Sequence, residues 1–176
     1  MHLLLISGST RAASTNTAVL RTAQQLATVE TTLYGELSAL PAFNPDDDRE
    51  PLHPAVTRLR EQVEAADAIL FCTPEYAGAL PGSFKNLLDW TVGGTGMDRK
   101  PVAWINVSSV AAPTGGADAH DSLRKVLGYL NASIVEEACA RLPMTRQSVD
   151  ADGLVSAPAV VTGIRHTLAV LAGSVG

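Results

Sequence analysis

Two hydrophobic rhythms alternate along the chain. Short apolar or β-branched runs, Leu3 to Ser7, Thr31 to Tyr34, Ala68 to Cys72, Pro101 to Val107 and the brief Ser133 to Glu136, predict five strands. The first shows so little polar alternation that both of its faces are expected to be covered. Between the strands, apolar residues recur three and four positions apart. A helix capped by Ser14 or Thr15 is predicted to run to about Ala27, with Ala18, Val19, Ala23 and Leu26 facing inward. Further helices are predicted from His53 or Pro54 to Ala65, Pro81 to about Trp90, Ala117 to Leu130, and Ala157 to Ala172. The last carries Val160, Ile164, Leu168 and Leu171 on one stripe. Pro41 to Asp48, with two prolines and four Asn or Asp residues, reads as a solvated loop, and Gly93 to Gly96 as a flexible one.

Strands alternating with helices imply a parallel sheet with helices on both faces and right-handed crossovers. At 176 residues, 46% of them hydrophobic, the chain is expected to form a single α/β domain spanning 1–176. Five strands fit the flavodoxin-like order 2-1-3-4-5, a three-layer sandwich whose switch point lies between strands 1 and 3. The two most unusual loops follow those same strands, at the carboxyl ends where open α/β sheets bind ligands.

Composition removes other classes. The net charge is −5 and Lys and Arg form no stripe, so the basic footprint of a nucleic-acid partner is missing. No apolar run approaches the roughly 18–20 residues that cross a bilayer. Met1 to Ile6 lacks a basic flank and meets Gly8 at once, which reads as a first strand in a cytoplasmic protein and not as a signal peptide. Cys72 and Cys139 lie far apart in apolar contexts, and no His or Cys pair has ligand spacing, so neither a disulfide nor a metal is expected.

The first loop, Gly8-Ser9-Thr10-Arg11 with Ser14, Thr15 and Asn16, places hydroxyls, a guanidinium and an amide before a helix N-terminus. Free N–H groups and a positive helix end suit a phosphate there, and Arg11 adds charge and a planar fork. A second reading has Ser14 and Asn16 capping the helix and Arg11 in solvent. The loop is neither a Walker A sequence nor a Gly-x-Gly-x-x-Gly fingerprint, since no Gly-Lys-Ser/Thr follows and Gly8 stands alone.

The second loop joins Pro74-Glu75-Tyr76-Ala77-Gly78 to Pro81-Gly82, Lys85-Asn86 and Asp89-Trp90. Together with the first loop, and with Ala66-Asp67-Ala68 and Lys100-Pro101-Val102, it resembles the NAD(P)H-dependent FMN reductase family. That resemblance implies that Ser9, Arg11, Ser14, Thr15 and Asn16 hold the phosphate of FMN, and that Pro74, Glu75, Tyr76, Ala77 and Gly78 shape the loop against the isoalloxazine. It also implies a third ligand loop, Ser108 to Gly116, with Ser108 and Gly115 among its contacts. There the chain departs from the family: Ala111 or Ala112 stands where a glycine is usual, and Asp118 where an arginine is usual.

The implied activity is ping-pong transfer of a hydride from NADPH or NADH through FMN. The acceptor is a small molecule such as a quinone, a free flavin, an azo compound or chromate. No side chain is assigned as nucleophile or general acid. A site for the 2′-phosphate of NADPH would have to draw on Arg11, Arg99 or Lys100. The alternative activity is a flavodoxin-type electron carrier, which the scarcity of aromatic residues (5%) and the presence of Arg11 oppose; a flavin-less binding protein of the same fold is a third reading. Lys85 and Asp89 read as an intrahelical pair. Their helix, with Leu87, Leu88 and Trp90, is expected to form the interface of a homodimer or homotetramer.

Overall fold

Alternation within single strands divides the interior into two cores. The computed structural model describes residues 1–108 and 113–175. In β1 (His2–Ser7), Leu4 and Ile6 point to one side of the sheet and Leu3 and Leu5 to the other, all essentially inaccessible to solvent. The first helix, α1 (Thr15–Leu26), leads to β2 (Glu30–Tyr34). Then α2 (Pro54–Ala65) leads to β3 (Ala68–Cys72), α3 (Gly82–Trp90) to β4 (Pro101–Asn106), and α4 (Ala117–Tyr129) to β5 (Ser133–Ile134). Last come β6 (Ala140–Arg141) and α5 (Pro158–Gly173). The sheet is parallel in the order β2-β1-β3-β4-β5, with α1 and α5 packed on one face and α2, α3 and α4 on the other. Every strand of the centre is covered twice, which is why its sequence reads as continuous apolar residues.

The fifth strand position differs from the expected Ser133 to Glu136. It is split: β5 pairs with Pro101 and Val102, and β6 pairs with Ile105 and Asn106. A 3₁₀ turn, Glu136–Ala138, separates them. The turn drives Ala138 into the core, where its carbonyl accepts a hydrogen bond from Thr167 Oγ1 of α5 (3.0 Å). An edge position tolerates such an interruption because only one neighbour loses pairing. Its consequence is that the chain beyond β6 runs on beside the end of β4.

Two expectations about the surface change. Asp48 is not solvated: its carboxylate pairs with Arg60 at 2.7 Å, and both side chains are less than a fifth exposed. Leu87, Leu88 and Trp90 are buried within the protomer, at 0–1% exposure, so they offer no face to a second copy. Trp90 Nε1 and Asn86 Nδ2 both donate to the Pro41 carbonyl at 2.8 Å, and the Phe43 ring meets Trp90 edge-on at 4.9 Å. The helix therefore spends its surplus apolar surface on the long Pro41–Asp48 connection. The Lys85–Asp89 pair forms as the spacing suggests.

Candidate functional site

The first and second loops leave adjacent strands and are tied together at their roots. The Gly8 N–H donates to the Cys72 carbonyl at 2.8 Å. A Cβ on Gly8 would stand 2.7 Å from Thr73 Oγ1 and 2.8 Å from the Phe84 ring, so only glycine permits this approach. The second loop is rooted on β4 in turn: Thr73 N–H donates to the Ile105 carbonyl (3.2 Å), and Asn106 Nδ2 to the Thr73 carbonyl (2.8 Å). The loops after β1 and β3 and the end of β4 thus lie side by side at the carboxyl edge, around the switch point between β1 and β3.

In the first loop, Ser14 Oγ accepts from the Thr17 N–H (3.4 Å), making it the N-cap of α1. The N–H groups of Thr15 and Asn16 have no partner within the helix and face its positive end. Ser9 Oγ accepts from the Arg11 N–H (3.3 Å) and curls the loop, leaving Arg11 exposed. Asn16 is buried and turned inward, its Oδ1 accepting from Cys72 Sγ at 3.4 Å. Burial pushes the Cys72 thiol far above its usual range, so it serves as a neutral donor and not as a nucleophile.

The second loop is a two-residue hairpin. Tyr76 and Ala79 exchange backbone hydrogen bonds of 3.0 and 3.1 Å, and both central residues are left-handed, Ala77 at φ 51° and Gly78 at φ 71°. This is the arrangement of a type I′ turn. It holds Tyr76, half exposed, at the rim.

Glu75 has a role the sequence did not suggest. One carboxylate oxygen accepts from Thr114 Oγ1, and the other from the Ala119 N–H in the first turn of α4 (3.1 Å). It caps α4 from another loop, because the helix's own N-cap, Gly116, has no side chain. Gly115 and Gly116 are both left-handed, at φ 58° and 87°. A Cβ on Gly116 would lie 1.9 Å from Asn106 Oδ1, whereas one on Gly115 would meet nothing. Gly115 therefore bends the chain beside open space and is not among the residues lining the cleft. Ser108 is half-buried at the start of this loop. Ser109 to Ala112 lie outside the described residues.

These loops enclose two clefts that share Val107. One, about 550 Å³, is lined by Pro74, Glu75, Ala77, Gly78, Ser108 and Asp118, with Pro113 and Thr114 on the far wall. The other, about 390 Å³, is lined by Arg11, Ala13, Thr15, Met144, Thr145 and Arg146. The groove is thus cationic at one end and acidic at the other. Among the predicted residues, Arg11 and Thr15 border the cationic end, and Pro74, Glu75, Ala77, Gly78 and Ser108 the other. Ser9, Ser14 and Asn16 support the first loop from behind or below, and Tyr76 stands at the rim. Arg146 and Thr145 were missed, since nothing in a lone arginine after an irregular stretch announces its neighbour. Arg99 and Lys100 are excluded from the site. Lys100 Nζ is bonded to the Glu64 and Ala66 carbonyls, and Arg99 pairs with Asp98, both at the amino edge of the sheet.

Comparison with known proteins agrees with this geometry. Residues 1–146 match the family model of NADPH-dependent FMN reductases. The chain is 34% identical to an NAD(P)H-dependent FMN reductase of Pseudomonas aeruginosa, over 87% of this chain and 83% of that one. It is 32% identical to a quinone reductase of Escherichia coli, over 78% and 74%. Its fold superposes on FerB, a flavoenzyme NAD(P)H:(acceptor) oxidoreductase from Paracoccus denitrificans, with a TM-score of 0.82, 25% identity and coverage of 98% and 97%. The chain belongs to the NADPH-dependent FMN reductase family.

Proposed function

We propose that this protein binds FMN in the groove and uses it to carry a hydride from NAD(P)H to a small-molecule acceptor, a quinone in the first instance. The observation that carries the reading is the meeting of the Gly8–Asn16 and Pro74–Gly78 loops in one groove with a cationic and a non-cationic end. The residues present fit FMN. Unpartnered first-turn N–H groups of α1, the Thr15 hydroxyl and Arg11 suit a phosphate dianion. A second cleft of about 550 Å³, without a cation on its walls, suits a planar ring system.

When bound, FMN supplies the two-electron chemistry; the protein supplies position, electrostatics and access. Arg11 neutralises the phosphate, with Ser9 and Ser14 holding the loop in shape and Asn16 anchoring it to β3. The Ala77–Gly78 turn presents backbone to the ring, Ser108 and Thr114 line the same cleft, and Gly115 shapes the third loop through its left-handed backbone. No nucleophile is needed. Asp118, exposed on the cleft wall, favours uncharged acceptors over oxyanions such as chromate. Two free thiols, Cys72 and Cys139, accord with a reducing, cytoplasmic location. Self-association into a dimer or tetramer belongs to the same reading through the family resemblance, by a surface other than Leu87, Leu88 and Trp90, and light scattering tests it.

Steady-state consumption of NADPH and NADH with a quinone, after loading with FMN, tests the activity. Turnover that requires both flavin and quinone supports it. A protein that holds FMN but consumes neither nucleotide would instead be an electron carrier.

A further inference from the structure

Arg146 is separated from the first loop by most of the chain, yet the two share a wall of one cleft. Beyond β6 the backbone keeps company with β4: the Leu142 N–H donates to the Asn106 carbonyl (2.9 Å) and the Met144 N–H to the Ser108 carbonyl (3.1 Å). This places Thr145 and Arg146 beside Arg11 and Thr15 in the cleft of about 390 Å³.

The charges in that cleft are out of balance. No carboxylate lines it. Among the described residues, Arg58, Arg60, Arg99 and Arg124 each pair with an acid; of the six arginines that form no ion pair, Arg11 and Arg146 are the two that line this cleft. Behind Arg146, in a neighbouring hollow, stands Asp150, but its Oδ1 is taken by the N–H groups of Asp152 and Leu154 at 3.0 and 2.9 Å. In a protein of net charge −5, two guanidiniums facing one cavity without a counter-ion describe a place made for a dianion.

We propose that Arg146 is the second arm of a two-arginine clamp on a terminal phosphate monoester. Resting on the function proposed above, that group is the 5′-phosphate of FMN, gripped by Arg11 from the first loop and Arg146 from the segment after β6. The division of labour is physical. The first loop offers N–H groups and hydroxyls from one side, and Arg146 closes the other with charge and a planar fork. It is a binding residue and takes no part in hydride transfer.

Fluorescence titration with two flavins tests this. FMN and riboflavin share the ring and differ at the phosphate. Arg146→Ala is expected to weaken FMN binding roughly ten- to a hundredfold, the scale of a charged hydrogen bond, and to leave riboflavin binding unchanged. Arg146→Lys should recover part of the loss, since it restores charge without the fork. FMN binding should also lose salt sensitivity in Arg146→Ala. If Arg11→Ala weakens FMN binding but Arg146→Ala does not, the clamp is wrong and the FMN reading survives. Equal loss of both flavins in Arg146→Ala would also overturn the clamp, by making the effect one of shape. A wild-type protein that binds neither flavin would overturn the function itself.

Discussion

Ala77 sits in a backbone conformation that glycine, asparagine or aspartate usually takes. Its neighbour Gly78 meets the same demand without cost, so the strain of the turn is concentrated on one methyl group. Ala77→Gly should therefore raise stability by about 0.5–1 kcal/mol, measured by urea unfolding, with the relief of strain outweighing the added freedom of the unfolded chain. A drop in stability would mean that the turn is not left-handed at both positions. The sequence showed that Gly78 mattered, but for another reason. Its place in the loop against the isoalloxazine was the expectation, and the hairpin adds a backbone demand for glycine at the same position. Ser14 was readable both ways, and its capping role is visible because the Thr17 N–H lies within reach.

At the scale of elements, helix and strand positions followed the hydrophobic period closely, because a doubly covered parallel sheet writes itself as continuous apolar runs. Tertiary couplings left no periodic trace. Asn86 belonged to the motif that carries the resemblance and Trp90 to an expected subunit interface, and both fasten the Pro41 segment to α3. The split of the outer strand depends on Thr167, a residue from another element, and could not be read locally. Glu75 belongs here too, since it joins the second loop to the start of α4. Glu75→Ala should cost about 1–2 kcal/mol by removing a cap and leaving the Ala119 N–H unpaired. Glu75→Gln should cost less, because its carbonyl oxygen can still accept. Thermal unfolding of the three proteins gives the ranking, and equal stability of all three would deny Glu75 this role.

Across the whole molecule, charge is sorted as much as hydrophobicity. The amino edge of the sheet holds Asp67 against the N–H of His2 (2.6 Å) and Lys100 against two carbonyls, a structural clasp. The carboxyl edge holds the groove. Sequence resemblance drew residues from both edges without distinguishing them; only their placement in the fold separates support from site. Beside the groove, His120 packs edge-on against Trp104 (ring centroids 5.5 Å), and Arg124 stands over the same indole. Burial first, then the charges of Arg141 and Arg124, lower His120 to about 4. The folded form therefore keeps this imidazole neutral while the unfolded chain would protonate it near its ordinary value of 6.5. Its stabilisation is complete above that value and is lost progressively as pH falls toward about 4. Melting temperature should decline over this window in the wild type and more shallowly in His120→Phe. Parallel curves would assign the acid sensitivity elsewhere.

The central claim is that the paired loops hold a flavin and expose it to a reduced nicotinamide. The most direct measurement is the visible absorption spectrum of the purified protein, incubated with FMN, freed of excess, and then treated with NADPH under anaerobic conditions. The account predicts retained yellow flavin bands that bleach on addition of NADPH and return when a quinone is added. A protein that stays colourless after FMN, or whose bound flavin is untouched by both NADPH and NADH, would contradict it.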